Sequence, residues 1–109
     1  MKLLSTLLVA TGMLAASLAH AAPDADAAQA LMKKSDCLKC HAVDKKKDGP
    51  AFKEVAKKYK GKADAEDKLT KHITTGPMIE IDGVKEEHKK IKSSDAAEIK
   101  NAVQWMLSL

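Results

Sequence analysis

The stretch Asp36-Cys37-Leu38-Lys39-Cys40-His41 decides how this chain is read. It contains both cysteines of the sequence, three positions apart, with a histidine directly after the second. Cys-x-x-Cys-His is the attachment signature for c-type haem. Two thiols one helical turn apart reach two vinyl groups of the same macrocycle, and the adjacent His41 is directed at the iron between them. The resulting thioethers are irreversible links. Two other chemistries use part of the pattern. A redox-active dithiol opens a helix in a βαβ setting, whereas this pair stands at the end of a helical pattern and no strand is read in the chain. A structural zinc site wants four ligands, usually from two such knuckles, and the chain has one.

Working outward, the first residues are a targeting segment. Lys2 precedes an apolar run from Leu3 to about Leu18, and Ala19-His20-Ala21 has the small-x-small form of a signal-peptidase site. Residues 1–21 are therefore read as a secretory signal cleaved after Ala21, with Ala22 the near alternative. The run is too short and too rich in Ala, Ser and Thr to span a bilayer comfortably, so no membrane span remains after cleavage. The mature chain, 22–109, is one domain exported to the periplasm. A domain of this size is marginal and benefits from a staple or cofactor. Its aromatic complement is Phe52, Tyr59 and Trp105, a thin core to which a buried porphyrin would add apolar bulk.

Every basic residue besides histidine is lysine. The lack of arginine argues against nucleic-acid binding, where guanidinium is the favoured reader of phosphate and guanine. Without Lys2 the chain carries 18 lysines against 15 acids, a net +3. That excess reads either as an ordinary solvated surface or as a docking field for an acidic partner.

Helical periodicity and punctuation give four helices. The first is capped by Asp24 or Asp26, carries Ala27, Ala30, Leu31 and Lys34 to Ser35 along its inward stripe, and runs to about Lys39. A charged loop closes on Gly49-Pro50. The second turns Phe52, Val55, Ala56 and Tyr59 inward and stops at Gly61. In the third, Asp64 caps, Leu69 and Ile73 face inward, and Thr75-Gly76-Pro77 ends the run. Residues 78–92 read as irregular, with a tight turn at Asp82-Gly83. The fourth starts near Ser93-Ser94-Asp95, with Asp95 and Glu98 as a capping box. It presents Ile99, Ala102, Val103, Met106 and Leu107, with Trp105 at the edge of that face. The fold class is all-α.

Two blocks carry a family resemblance. "CLKCHAVDKKKDGPAFKEVAKKYKG" and "SSDAAEIKNAVQWMLSL" resemble the haem-to-second-helix block and the closing helix of class I cytochromes c, the small bacterial c-551/c-552 type. The resemblance implies the small cytochrome c fold, four or so helices wrapped around one covalently attached haem c held by Cys37 and Cys40. It implies His41 as the proximal ligand, the Pro50 carbonyl as acceptor for its far ring nitrogen, and Trp105 near a haem edge or propionate.

The sequence departs from the family at the sixth ligand. The family supplies methionine from a proline-rich loop before the last helix; here that stretch is "DGVKEEHKKIKSSD". His88, six residues before Ser94, occupies the methionine's place, so bis-histidine ligation is expected. Met78, in "TGPMIEI", is the alternative. His72 is a third candidate, read as mid-helix and facing water, and Met106 is read as core.

The resulting expectation is a soluble monohaem electron carrier, not an enzyme, that exchanges electrons with redox proteins bearing acidic docking surfaces and works as a monomer. Lys33, Lys34, Lys39 and Lys45 to Lys47 would form the basic ring. A ligand-binding or sensing haem protein with a weak or open sixth site is the alternative. Peroxidase chemistry ranks below both, because no distal acid–base group is evident.

Overall fold

The computed structural model describes residues 21–109. The secretory signal read at 1–21 lies outside them, Ala21 excepted. The described chain forms helices α1 (Ala25–Lys34), α2 (Phe52–Tyr59), α3 (Ala65–Thr75) and α4 (Ala96–Leu107), with a two-stranded hairpin, β1 (Met78–Ile81) and β2 (Val84–Glu87), between the last two helices. Helices α1, α2 and α3 all pack on α4.

α4 is the spine because its apolar residues recur at helical spacing. Ile99, Ala102, Val103 and Met106 are buried, and so is Trp105. Burying a side chain of the size of Ile, Val or Met is worth about 1.5–3 kcal/mol. Trp105 is only 6 % exposed, deeper than the edge position read from the sequence, because its indole meets the Phe52 ring edge-on with centroids 5.9 Å apart. The Asp95 carboxylate caps α4, accepting from the amides of Ala97 and Glu98 at 2.8 and 3.3 Å. The expected capping box is altered. The Glu98 carboxylate accepts from the Ser93 hydroxyl at 2.6 Å, and Ser93 Oγ in turn accepts from the Asp95 amide at 3.1 Å.

α1 differs from expectation at its C-terminal end. It is capped by Asp24, which accepts from the Ala27 amide at 3.0 Å, but it stops at Lys34 instead of reaching Lys39. Asp36 has φ +63°, a left-handed conformation that no right-handed helix continues through. Residues Cys37–Lys39 then make a separate 3₁₀ turn. The buried stripe of α1 is Ala28, Leu31 and Met32, continued by its C-cap Ser35, a register set by contact with α4, while Ala27, Ala30 and Lys34 are exposed. Two bonds between Asp24 and Asn101 join the helices at their edge: the Asp24 amide donates to Oδ1 at 2.8 Å and Nδ2 donates to the Asp24 carbonyl at 2.9 Å.

The segment 78–87, expected to be irregular, is an antiparallel hairpin with Met78 opposite Glu87 and Ile81 opposite Val84. Its turn is Asp82-Gly83, both at positive φ (50° and 82°), the geometry of a two-residue hairpin loop. The period-two pattern Met-Ile-Glu-Ile places Ile79 and Ile81, both half-buried, on one face. Two bonds tether the chain beyond the hairpin. The Ile91 amide donates to the Ile73 carbonyl at 2.8 Å, and the Lys92 amide donates to Oγ of Ser35, itself 1 % exposed, at 2.8 Å.

The Asp95 cap gives a direct test of the spine. Asp95→Ala removes the acceptor for two amides, costs about 1 kcal/mol and lowers the melting temperature by roughly 4–8 °C, measurable by circular dichroism. An unchanged melt would mean that α4 does not depend on this cap.

Candidate functional site

The helices leave a cavity of about 740 Å³, within the usual range for a small-molecule or cofactor site. Met32, Phe52, Leu69, Ile73 and Met106 supply apolar wall, and Ile79 and Ile81 of the hairpin close another side. Cys37, Cys40, His41, His72 and His88 all reach it.

The first part of the site is built by the turn that ends α1. The His41 amide donates to the Cys37 carbonyl at 3.0 Å, and the Cys40 amide also bonds to that carbonyl at 3.3 Å. This single turn brings both thiols and the imidazole to one cavity. Both cysteines are free thiols and half-buried. Burial raises the pKa of the Cys37 thiol, with smaller upward contributions from Asp36 and Cys40. Asp36, which sets the turn, is held by Lys39 and Lys92, each at 3.2 Å. Their hydrogen bonds and charges keep its carboxyl below the usual range.

His41 Nδ1 lies 2.7 Å from the Pro50 carbonyl oxygen. A carbonyl only accepts, so Nδ1 carries the proton and Nε2 keeps its lone pair for a metal. The ring stacks on Phe52, centroids 5.2 Å apart and planes 18° from parallel. Gly49 makes room for it: a Cβ there would stand 2.8 Å from Nδ1 and closer still to Cε1. The Gly49 amide donates to the Cys40 carbonyl at 2.7 Å, which draws the loop over the ring.

The second part of the site comes after the hairpin. The His88 amide donates to the Pro77 carbonyl at 2.9 Å, and the His88 carbonyl passes so close to Gly76 that a Cβ would sit 2.7 Å from it. Gly76 also has φ +61°, so two separate constraints exclude a side chain there. The His88 ring centroid lies 6.2 Å from that of His41, with the planes 52° apart. The rings are too far apart to touch as a stacked pair. Metal–imidazole bonds of about 2 Å on either side of one ion, with roughly 1 Å more from each nitrogen to its ring centre, span about 6 Å. The two imidazoles are thus spaced for one metal between them, and with the two thiols on the same wall the residues present fit a covalently held haem. Burial first, then the proximity of the other two histidines, depresses the His88 pKa; burial and His41, with Lys58, depress that of His72. Both are held toward the neutral form that binds metal.

The remaining candidates fall elsewhere. Met78 is 65 % exposed on β1 and is not part of the cavity wall. Met106 lines the cavity from α4 and is buried. Trp105 stands behind Phe52 and is not itself in the wall. His72 does not face water, contrary to the expectation from sequence. It is half-buried, lines the cavity and meets the His88 ring at 4.4 Å. Its spacing carried the signal: His72 lies three residues after Leu69 and one before Ile73, on the helix face that both bury. Gly49 and Gly76, punctuation in the sequence, are clearances in the fold. Of the motif lysines, Lys39 is paired with Asp36, and Lys47 donates to the Leu38 carbonyl at 2.8 Å. Lys33, Lys34, Lys45 and Lys46 are exposed and make no ion pair with the described residues.

A family profile described as Cytochrome c matches residues 25–109. The chain is 39 % identical to cytochrome c-551 of Allochromatium vinosum over 81 % of its own length and 92 % of that protein's. It is 37 % identical to cytochrome c-552 of Hydrogenobacter thermophilus over 72 % of its length and 78 % of that protein's. Among solved structures, the class 1 cytochrome MtoD of Sideroxydans lithotrophicus ES-1 superposes with a TM-score of 0.77 at 53 % identity, covering 80 % of this chain and 97 % of that one.

Gly49→Ala tests the fit around the first imidazole. The added methyl collides with the His41 ring, and overpacking of this kind costs about 1–3 kcal/mol. The haem-loaded variant is expected to melt lower and to show an altered Soret band; a variant matching the parent in both would mean that the loop yields without moving His41.

Proposed function

This chain belongs to the cytochrome c family, and on that premise we propose that it is a periplasmic one-electron carrier whose iron is held between His41 and His88. Its cofactor is one covalently attached haem c, and as a monohaem c-type cytochrome it works with redox partner proteins. When bound, the haem supplies an iron that takes up and gives back one electron. The protein's part is to fix what surrounds that iron. Cys37 and Cys40 hold the macrocycle by thioethers. The Pro50 carbonyl keeps His41 in the tautomer that leaves Nε2 free. The apolar wall from Met32, Leu69 and Met106 excludes water.

The observation that carries the bis-histidine reading is the 6.2 Å between the His41 and His88 ring centres. The exposure of Met78 supports it. Two imidazoles give an iron that changes little in geometry between its oxidation states, which suits electron transfer, and leave no position for substrate. Imidazole in place of methionine lowers the reduction potential. A carrier of this kind serves partners of lower potential than a methionine-ligated relative does.

Docking is proposed to use the surface around the attachment turn. Leu38, between the two cysteines, is exposed, and Lys33, Lys34, Lys45 and Lys46, which flank the motif in sequence, are exposed with no ion pair among the described residues. An apolar contact ringed by lysines suits brief association of the monomer with an acidic partner. The apolar run at residues 3–18 supports export by a cleaved signal.

His88→Ala is expected to convert the oxidised protein from low to high spin, and the parent is expected to lack the methionine–iron charge-transfer band of the ferric spectrum. Retention of the low-spin spectrum in the variant would sink the ligand reading. Electron exchange with an acidic partner should slow as salt is raised through the physiological range, where charges are screened over about 8–10 Å. A salt-independent rate would remove the lysine docking surface and leave the cofactor assignment intact.

A further inference from the structure

We propose that His72 is a positioning residue for His88: its imidazole braces the His88 ring from α3 and so fixes the orientation and the hold of the sixth ligand. This inference rests on the bis-histidine reading and adds to it a residue that does not itself touch the metal.

The two axial candidates are secured in different ways. His41 has a backbone acceptor for Nδ1 and an aromatic face beneath it. His88 has no bond of that geometry: its Nδ1 is buried and unpartnered among the described residues, and the Lys89 backbone next to it only partly offsets the depression of the ring's pKa. A metal-bound imidazole ordinarily donates its other N–H to a carboxylate, carbonyl or water that sets the ring's rotation. At His88 the observed ring neighbour besides His41 is His72, with centroids 4.4 Å apart and planes at 61°. That is a tight edge-to-face contact, the arrangement in which the positive edge of one ring meets the π-face of the other. It restricts rotation of the His88 ring through shape and quadrupole where a hydrogen bond is missing.

The brace is separable from the backbone anchor. The main chain of His88 is pinned by the Pro77 carbonyl and by its passage against Gly76, neither of which involves the His72 side chain. His72 is half-buried and makes no side-chain hydrogen bond among the described residues. Its replacement therefore acts on the His88 ring and leaves the course of the loop in place. The quantity it would fix is the 52° angle between the His41 and His88 planes, to which the anisotropy of the ferric low-spin electron paramagnetic resonance spectrum is sensitive.

The test uses the haem-loaded exported protein with three substitutions, His72→Ala, His72→Phe and His88→Ala, read by low-temperature paramagnetic resonance and by cyanide titration of the ferric form. His72→Ala is expected to stay low spin, with shifted and broadened g values. Cyanide, competing with His88 for the sixth position, is expected to bind about 10–100-fold more tightly, the usual loss when an outer partner of a ligand is removed. His72→Phe keeps a ring at the contact and is expected to return both readouts toward the parent. Where His72→Ala does not fold, His72→Leu, which fills the space without a ring, carries the same expectation. Unchanged g values and cyanide affinity in the ring-less variant, with His88→Ala high spin, would overturn the brace and leave the ligand assignment standing. A low-spin His88→Ala protein would overturn both, and a high-spin His72→Ala beside it would make His72 the ligand.

Discussion

The spacing of two imidazoles across the cavity governs this molecule. His41 and His88 are 47 positions apart in sequence and 6.2 Å apart between ring centres. Here each ring is held from its own side of the cavity. Pro50, Gly49 and Phe52 hold the first; Gly76, Pro77 and His72 bear on the second. Each ring is thereby oriented from its own side of the cavity, and a covalently attached haem would complete the packing between them.

The same cavity accounts for the economy of the core. The buried cluster is built on α4 and contains two large aromatic side chains, Phe52 and Trp105, in edge contact. So small a domain buries a modest share of its surface. The apolar wall of the cavity is continuous with that cluster through Met32, Leu69, Ile73 and Met106, so a flat apolar cofactor extends the core and is not an addition to a finished one. Loss of the cofactor would expose this wall and stability would fall with it.

Much of this is legible in residue types and spacing. The attachment turn, the four helices, the Asp24 and Asp95 caps and the Asp82-Gly83 turn all come from local chemistry, because each depends on neighbours within a few positions. The features that local chemistry does not reveal depend on partners far along the chain. The end of α1 at Lys34 hangs on a left-handed Asp36 whose carboxylate is held by Lys92, 56 residues away. The hairpin is hidden because its four-residue strands are largely exposed and interrupted by charge, so the alternation in Met-Ile-Glu-Ile resembles chance. The inward face of His72 is present in its spacing with Leu69 and Ile73 but is outweighed by its lysine neighbour. The depth of Trp105 and the clearances at Gly49 and Gly76 are tertiary facts that no local pattern carries.

The hairpin also makes the segment between α3 and α4 an exchangeable cassette. It begins at Gly76-Pro77, against the end of α3, and ends where Ile91 bonds to Ile73 and Lys92 to Ser35. Its tip is open: a Cβ added at Gly83 would meet nothing within 4 Å. Sequence can therefore be lengthened or shortened at that tip without reshaping the four helices. One scaffold can in this way vary the loop that faces the cavity opposite His41, while the attachment turn and the four helices keep the same form.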